Sequence, residues 1–232
     1  MPAFYVGPNR VYALTEEDKL WLARAIAGEC GESPKSLDGP ACVCWAMINR
    51  FLLSPAQANW KTLTDLLRAF CQPINPKWAR GGSICANPSP KEAKYCVEHL
   101  YQRREHIATL PWEKINQGIR DTVTAFAKGS VFLPNKVLEL AHWRLSNWAA
   151  YRVKQPLGYE DVNVGDNWFF EDARLLPCEV HVAYADTAPA PVCYPTSKGV
   201  GGGWTTLNTL GVVLALGVAG IAGYLAWART YY

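Results

Sequence analysis

The feature that most constrains the fold is a run that is apolar on almost every side of a helix. It spans residues 41–53 and reads ACVCWAMINRFLL. A helix without a polar face is stable only when other elements cover it all round. Pro40 suits the first turn of such a helix, because the N–H that proline lacks would have no helical partner there. The sequence therefore predicts a central, buried helix with a domain packed around it.

The segment before this run predicts a second helix, from about Glu16 to Glu29. Thr15 is followed by three acidic residues, a pattern typical of an N-cap with acids in the first turn. Leu22 and Ile26 recur at helical spacing with Glu29, so the three side chains share one face. This phase predicts that Glu29 lies on a stripe that points toward the core.

Glu29 and Glu32 lie in the stretch AIAGECGE, residues 25–32, which is the strongest candidate for chemistry. A carboxylate on a core-facing stripe is costly to keep charged, so we expect the pKa of Glu29 to be raised. A carboxyl group of raised pKa can act as a general acid at neutral pH. The residues alone leave one alternative open, a solvent-exposed glutamate at a helix end. Glu32 follows the helix-breaking Gly31, and we expect it to cap or bind the next loop.

The remaining sequence predicts one domain, since 232 residues suffice for a real core. Its expected elements are helices at 63–70, 91–107 and 111–128, a long ordered loop at 71–90, a strand or helix at 137–143, a glycine turn with an aromatic pair at 162–170, and an edge strand at 180–184. The net charge of +3 comes without a basic block, so no nucleic-acid partner is expected.

Eight cysteines predict disulfides rather than a metal centre. Their spacing contains no paired CxxC motif, and no metal or other cofactor is expected. Cys30, Cys42 and Cys44 look like small buried apolar residues. The other cysteines are plausible disulfide partners, which would require an oxidising compartment: Cys71, Cys85 and Cys96 in the middle of the chain, and Cys178 with Cys193.

The C-terminal part of the sequence predicts a membrane anchor. Leu207–Ala228 carries no charge, and 22 helical residues span a hydrocarbon core of roughly 30 Å. We therefore expect a catalytic domain at residues 1–185, a linker rich in proline and glycine at 186–204, and a single transmembrane helix at 205–229. The expected location is membrane-anchored through that helix.

Several motifs resemble the SleB-like cell-wall hydrolase family. They are AIAGECGE followed by the apolar helix ending in Ile48-Asn49-Arg50, the segment Phe70–Pro76 with Trp78, His142-Trp143, and Val164–Phe170. The resemblance covers about residues 16–172. It implies a mainly α, lysozyme-like fold with little strand, cleavage of the MurNAc–GlcNAc bond of peptidoglycan, and a single catalytic glutamate, Glu29.

Aromatic faces and side-chain amides are the groups that meet sugars in a glycan cleft. The expected substrate-binding residues are Glu32, Asn75, Trp78, His142, Trp143 and Trp168. The alternative for each of these side chains is a structural role, in the core or on the surface.

These observations together predict a membrane-anchored, peptidoglycan-degrading lytic transglycosylase. An anchored enzyme without a leader would face the wrong compartment, so we expect it to be carried in a bacteriophage virion for genome entry. Its expected partners are glycan strands, the lipid membrane through Leu207–Ala228, and virion proteins or further copies of itself. The alternative is a structural virion or membrane protein with a degenerate lysozyme-like domain. The short spacing of the two acids and Asn167-Trp168, where the family has a histidine, favour that alternative.

Overall fold

The computed structural model describes residues 3–54, 59–138, 145–149, 161–165, 167–172, 175–176, 178–184 and 193. The chain divides into two compact units, Met1–Cys193 and Tyr194–Tyr232. All of the described residues belong to the first unit, so the architecture below is that of residues 3–193.

Six α-helices occur within the described residues, and the second of them is the centre of the fold. They are α1 (Glu16–Cys30), α2 (Asp38–Leu53), α3 (Leu63–Phe70), α4 (Glu98–Thr109), α5 (Gln117–Ala127) and α6 (Asn135–Leu138). Every residue of α2 except Asp38 and Arg50 is buried, which confirms the predicted central helix. Short 3-10 helices at Pro76–Trp78, Ala93–Tyr95 and Trp112–Lys114 lie in the connections.

The strands form two antiparallel sheets of three strands each. They are β1 (Phe4–Val6), β2 (Val11–Tyr12), β3 (Leu145–Ala149), β4 (Asp161–Val164), β5 (Asn167–Glu171) and β6 (His181–Ala183). The strand orders are β2-β1-β6 and β3-β5-β4. The predicted edge strand is confirmed as β6, which pairs with β1 so that Tyr5 faces Val182. The predicted glycine turn is also confirmed: Gly165 lies between β4 and β5 with φ of 62°.

The caps explain where the first helices begin. Thr15 accepts a hydrogen bond from the Asp18 N–H, and the Asp18 side chain accepts one from the Thr15 N–H, which makes a complete capping box at α1. Thr62 and Asp65 repeat the same arrangement at α3. Because these signals are local in sequence, α1 and α3 begin where the sequence predicts.

Two predicted helices are shorter than expected. The helix predicted at 91–107 begins only at Glu98, because Cys96 is tied to Cys85 by a disulfide and the preceding residues form turns. The helix predicted at 111–128 is interrupted, because Asn116 caps a new start by accepting a hydrogen bond from the Gly118 N–H.

The predicted fold class is wrong in two respects. The domain is mixed α and β, with strands in two sheets, rather than mainly α with little strand. No helix in the part of the chain that the structure describes is long and apolar enough to cross a membrane. The apolar α2 has 16 residues, whereas a span needs about 20. This finding overturns the predicted transmembrane helix and, with it, the predicted membrane-anchored location. Leu207–Ala228 itself lies outside the described residues.

Candidate functional site

Glu29 lies in the last turn of α1, on the stripe that the sequence predicts. Leu22 and Ile26 on the same face are fully buried, whereas Glu29 itself is half-buried. The helix ends at Cys30 and Gly31 follows with φ of 82°, a left-handed conformation that favours glycine. Glu29 is therefore held by a rigid helix yet remains within reach of solvent.

A neutral thiol donates a hydrogen bond to the Glu29 carboxyl group. Cys71 directly follows α3 as its C-terminal capping residue, and its Sγ lies 3.5 Å from Glu29 Oε1. Burial raises the pKa of the Cys71 thiol well above its usual value, and the nearby charge of Glu29 raises it further. The thiol therefore stays protonated and can only donate to the carboxylate.

The backbone at the end of α1 is fixed from three sides. The amide of Asn167, in β5, donates to the Glu29 carbonyl oxygen at 3.2 Å. The Arg103 guanidinium, in α4, donates to the Gly28 carbonyl oxygen at 3.1 Å. A Cβ atom at Gly28 would collide with Pro73, so the loop after α3 packs directly on the helix backbone. These contacts satisfy carbonyl groups that a helix end otherwise leaves without partners.

A cation and two aromatic rings lie on the α3 side of the site. The Arg50 guanidinium carbon is 5.1 Å from the centroid of the Phe70 ring, and its charge lowers the pKa of the Cys71 thiol against the stronger effect of burial. The Phe70 ring packs edge-on against Trp60, with centroids 5.8 Å apart. Both aromatic side chains are half-buried, so part of each ring faces solvent.

Glu32 has a different environment from Glu29. Its Oε2 lies 2.9 Å from His106 Nε2 on α4, and the two side chains are 50 % and 54 % exposed. An exposed pair of this kind contributes little to stability. The two acids of AIAGECGE therefore occupy unequal positions, one half-buried on the helix and one on the surface.

The structure uses Asn75 and Trp78 to build the loop after α3. The Asn75 amide donates to the Ala69 carbonyl oxygen at 2.6 Å and accepts from the Lys77 N–H at 2.9 Å. Trp78 is 0 % exposed, and its ring packs edge-on against Tyr95. A sugar cannot reach the Trp78 ring in this arrangement, so both residues support the loop.

The other predicted binding residues lie farther along the chain. Trp168 is half-buried in β5, in register with Trp148 of β3. His142 and Trp143 lie outside the described residues. No group of three or more histidine, cysteine or acidic side chains that could hold a metal ion occurs in the parts of the chain that the structure describes.

The sequence does not predict the contacts that hold Glu29 and the end of α1. They come from Arg103, from Asn167 and from Cys71, which the sequence predicts as a disulfide partner but which is a free thiol in the structure. Asn167 and Cys71 are 138 and 42 residues from Glu29, and no local pattern reveals contacts of that range. Cys71 and Asn167 lie within segments that resemble the hydrolase family, which is the one sequence signal that marks them, and no sequence signal marks Arg103.

Comparison with known proteins adds no relative to this picture. No family model, no curated protein and no solved structure matches the chain.

Proposed function

We propose that this protein cleaves the MurNAc–GlcNAc bond of peptidoglycan, as a lytic transglycosylase with Glu29 as its single acid and base. The observation that carries the proposal is the position of Glu29. It is half-buried at the rigid end of α1, the hydrogen bond from Cys71 fixes the orientation of its carboxyl group, and it has access to solvent. The family-like sequence around Glu29 supports the same assignment.

The chemistry needs one proton donor that later accepts a proton. The Glu29 carboxyl group protonates the glycosidic oxygen as the bond to that oxygen breaks. The resulting carboxylate then removes a proton from a hydroxyl group of the same sugar, and that oxygen closes on the anomeric carbon. Glu29 returns to its protonated form, and no water enters the reaction.

The contrast between the two acids favours this one-carboxylate scheme. A glycoside hydrolase uses two carboxyl groups that flank the scissile bond. Glu32 is exposed and paired with His106 on the surface of α4, and it supplies no half-buried second carboxylate. We therefore assign Glu32 to the rim of the site.

The rings of Phe70 and Trp60 are candidates for substrate contact. The Phe70 ring contacts the Arg50 guanidinium, and Phe70 directly precedes Cys71 in the chain. Trp60 packs edge-on against Phe70, and both side chains are half-buried. Aromatic faces offer sugars a broad apolar surface. We propose that one sugar ring packs against this pair next to Glu29.

The test is a cell-wall zymogram of the purified full-length chain and of two matched variants, Glu29→Gln and Glu32→Gln. The first keeps the size of the side chain but cannot carry the proton, so clearing should fall at least about 100-fold, at the lower end of what loss of a general acid costs. The second should retain most of the clearing. Clearing by Glu29→Gln would refute the assignment, and no clearing by the parent chain would favour a structural protein.

A further inference from the structure

Two arginines meet on one tryptophan, on the surface of α1 and α3. The guanidinium carbons of Arg24 and Arg68 lie 4.6 Å and 4.8 Å from the centroid of the Trp21 ring. The positive charge of Arg68 also lowers the pKa of Arg24, so the two cations are near enough to repel each other. Arg24 is half-buried and Arg68 is exposed, so the pair opens to solvent.

No acidic side chain balances this pair among the residues that the structure describes. The ion pairs found there involve Lys19, Arg80 and His106, and neither Arg24 nor Arg68. Asp65, three residues before Arg68, accepts a hydrogen bond from the Thr62 N–H in the capping box of α3.

Most of the hydrogen-bond donors of the pair are open. A guanidinium carries five N–H groups, and Arg24 uses its Nε to donate to the Leu110 carbonyl oxygen at 2.9 Å. That bond fixes the Arg24 head and leaves its two terminal nitrogens available. Arg68 has no hydrogen-bond partner in the described part of the chain, and its guanidinium is positioned by the Trp21 ring.

The pair is held together at an electrostatic cost. Burial lowers the pKa of Arg24, and the positive charge of Arg68 lowers it further. Arginine nevertheless stays protonated in proteins, so both charges persist. An anion placed between the two guanidinium groups would relieve the repulsion and satisfy their open donors.

We propose that Arg24 and Arg68, arranged around Trp21, form a binding site for a carboxylate of the peptide stems of peptidoglycan. The choice of this ligand rests on the function proposed above. Arg68 contacts Trp21 of α1, and Cys71, three residues further along the chain, contacts Glu29, so the arginine pair and Glu29 both lie on the side of α1 that faces the end of α3. Trp21 and Glu29 are eight residues apart, which is about 12 Å along the helix axis. A polymer that carries both glycosidic bonds and carboxylates can therefore occupy both places at once.

The test is binding to purified sacculi that carry no phosphate polymers, measured by co-sedimentation at constant ionic strength. The full-length Glu29→Gln chain serves as the parent, because it should bind the substrate without consuming it. The same sacculi are also used after carbodiimide amidation, which removes the charge of the carboxylates and keeps the polymer. We expect amidation to weaken binding of the parent about tenfold, as expected for loss of a charged hydrogen bond.

The matched variants are Arg68→Gln and Arg80→Gln in the same parent. Both remove one exposed arginine, but Arg80 lies elsewhere and pairs with Glu98. Arg68→Gln should bind native sacculi about tenfold more weakly and should no longer respond to amidation. Arg80→Gln should behave as the parent. The proposal is overturned if Arg68→Gln still responds to amidation, or if both variants weaken binding equally. Failure of the proposed function is a separate result, since it would appear as wall degradation by Glu29→Gln.

Discussion

Cys71 and Glu29 form a pair in which the thiol favours the ionised carboxylate. The Cys71 thiol is buried and protonated, and its hydrogen bond goes to Glu29 Oε1. In Cys71→Ala that donor is lost, so the protonated form of Glu29 becomes more favourable relative to the carboxylate. We expect the alkaline limb of the pH–activity profile to move to higher pH. The measurement is the rate of sacculus lysis across pH.

Cys44→Ala is the matched control for this shift. Cys44 is also a buried, free cysteine whose thiol pKa is raised by burial, but it lies inside α2. It should lose a similar amount of packing and keep the pH–activity profile of the parent. Equal shifts in both variants would mean that packing, and not the thiol donor, sets the profile.

The carboxylate of Asp18 is also held by hydrogen bonds inside the fold. Its Oδ1 accepts hydrogen bonds from the N–H and hydroxyl groups of Thr64, at 2.8 Å and 2.9 Å, and its Oδ2 accepts from Tyr12 at 2.6 Å. Burial alone would raise the pKa of Asp18, but these bonds together outweigh it and lower the pKa. Asp18→Asn should therefore reduce the free energy of unfolding by roughly 3 kcal/mol at neutral pH.

Because the pKa of Asp18 is lowered, the loss of unfolding free energy in Asp18→Asn depends on pH in a defined direction. A carboxyl group with a depressed pKa stabilises the fold fully above its unfolded value of about 4, and this contribution disappears as the pH falls through the folded value. The difference between parent and Asp18→Asn should therefore shrink below about pH 4 in urea unfolding. Asp65→Asn, the exposed counterpart at α3, should cost only about 1 kcal/mol. A difference for Asp18→Asn that grows as the pH falls would contradict the account.

Among the elements, the loop between α3 and α4 depends on one buried arginine. Arg104 is 7 % exposed, and its guanidinium donates to the carbonyl oxygens of Trp78 at 2.8 Å and Tyr95 at 2.7 Å. Arg104→Ala would leave both carbonyls without this donor, so we expect a loss of roughly 3 kcal/mol. Thermal unfolding measures the loss, and hydrogen exchange should locate it at residues 76–97. Arg80→Ala, on the exposed side of the same region, should change little, and equal losses would contradict the role of Arg104.

The elements also show what a sequence can predict. The first three helices follow from local signals, namely the caps at Thr15 and Thr62 and the apolar pattern of α2. The sequence does not predict strands β1 and β2, because β1 is only three residues long and its partner β6 lies at the far end of the described chain. The sequence also does not predict the start of α4, because the Cys85–Cys96 disulfide, rather than the helical pattern, determines where the helix begins.

The candidate site, too, can be predicted only in part from the sequence. Helical phase alone indicates that Glu29 lies on the buried stripe, and the structure agrees. The neighbours of Glu29 come from α3, α4 and β5, and they meet it only after the chain has folded. Trp78 is a different case: an aromatic residue in a loop predicts a platform for a sugar ring, whereas the structure buries this ring completely.

For the molecule as a whole, the described domain is closed by its last strand. His181–Ala183 pairs with Phe4–Val6, and Cys178 is joined by a disulfide to Cys193. A chain that ends at residue 193 should unfold cooperatively. A chain that ends at residue 176 lacks both the strand and the disulfide, and the disulfide alone is worth about 3 kcal/mol. Calorimetry of the two chains tests this, and equal stability would mean that β6 is dispensable.

The central claim is that one half-buried carboxyl group cleaves the glycan strand without water. Mass spectrometry of the products from purified sacculi tests it most directly, with the full-length chain and Glu29→Gln compared side by side. The account predicts muramyl ends in the anhydro form from the parent and no new ends from Glu29→Gln. Reducing ends from the parent, or products that persist in Glu29→Gln, would contradict it.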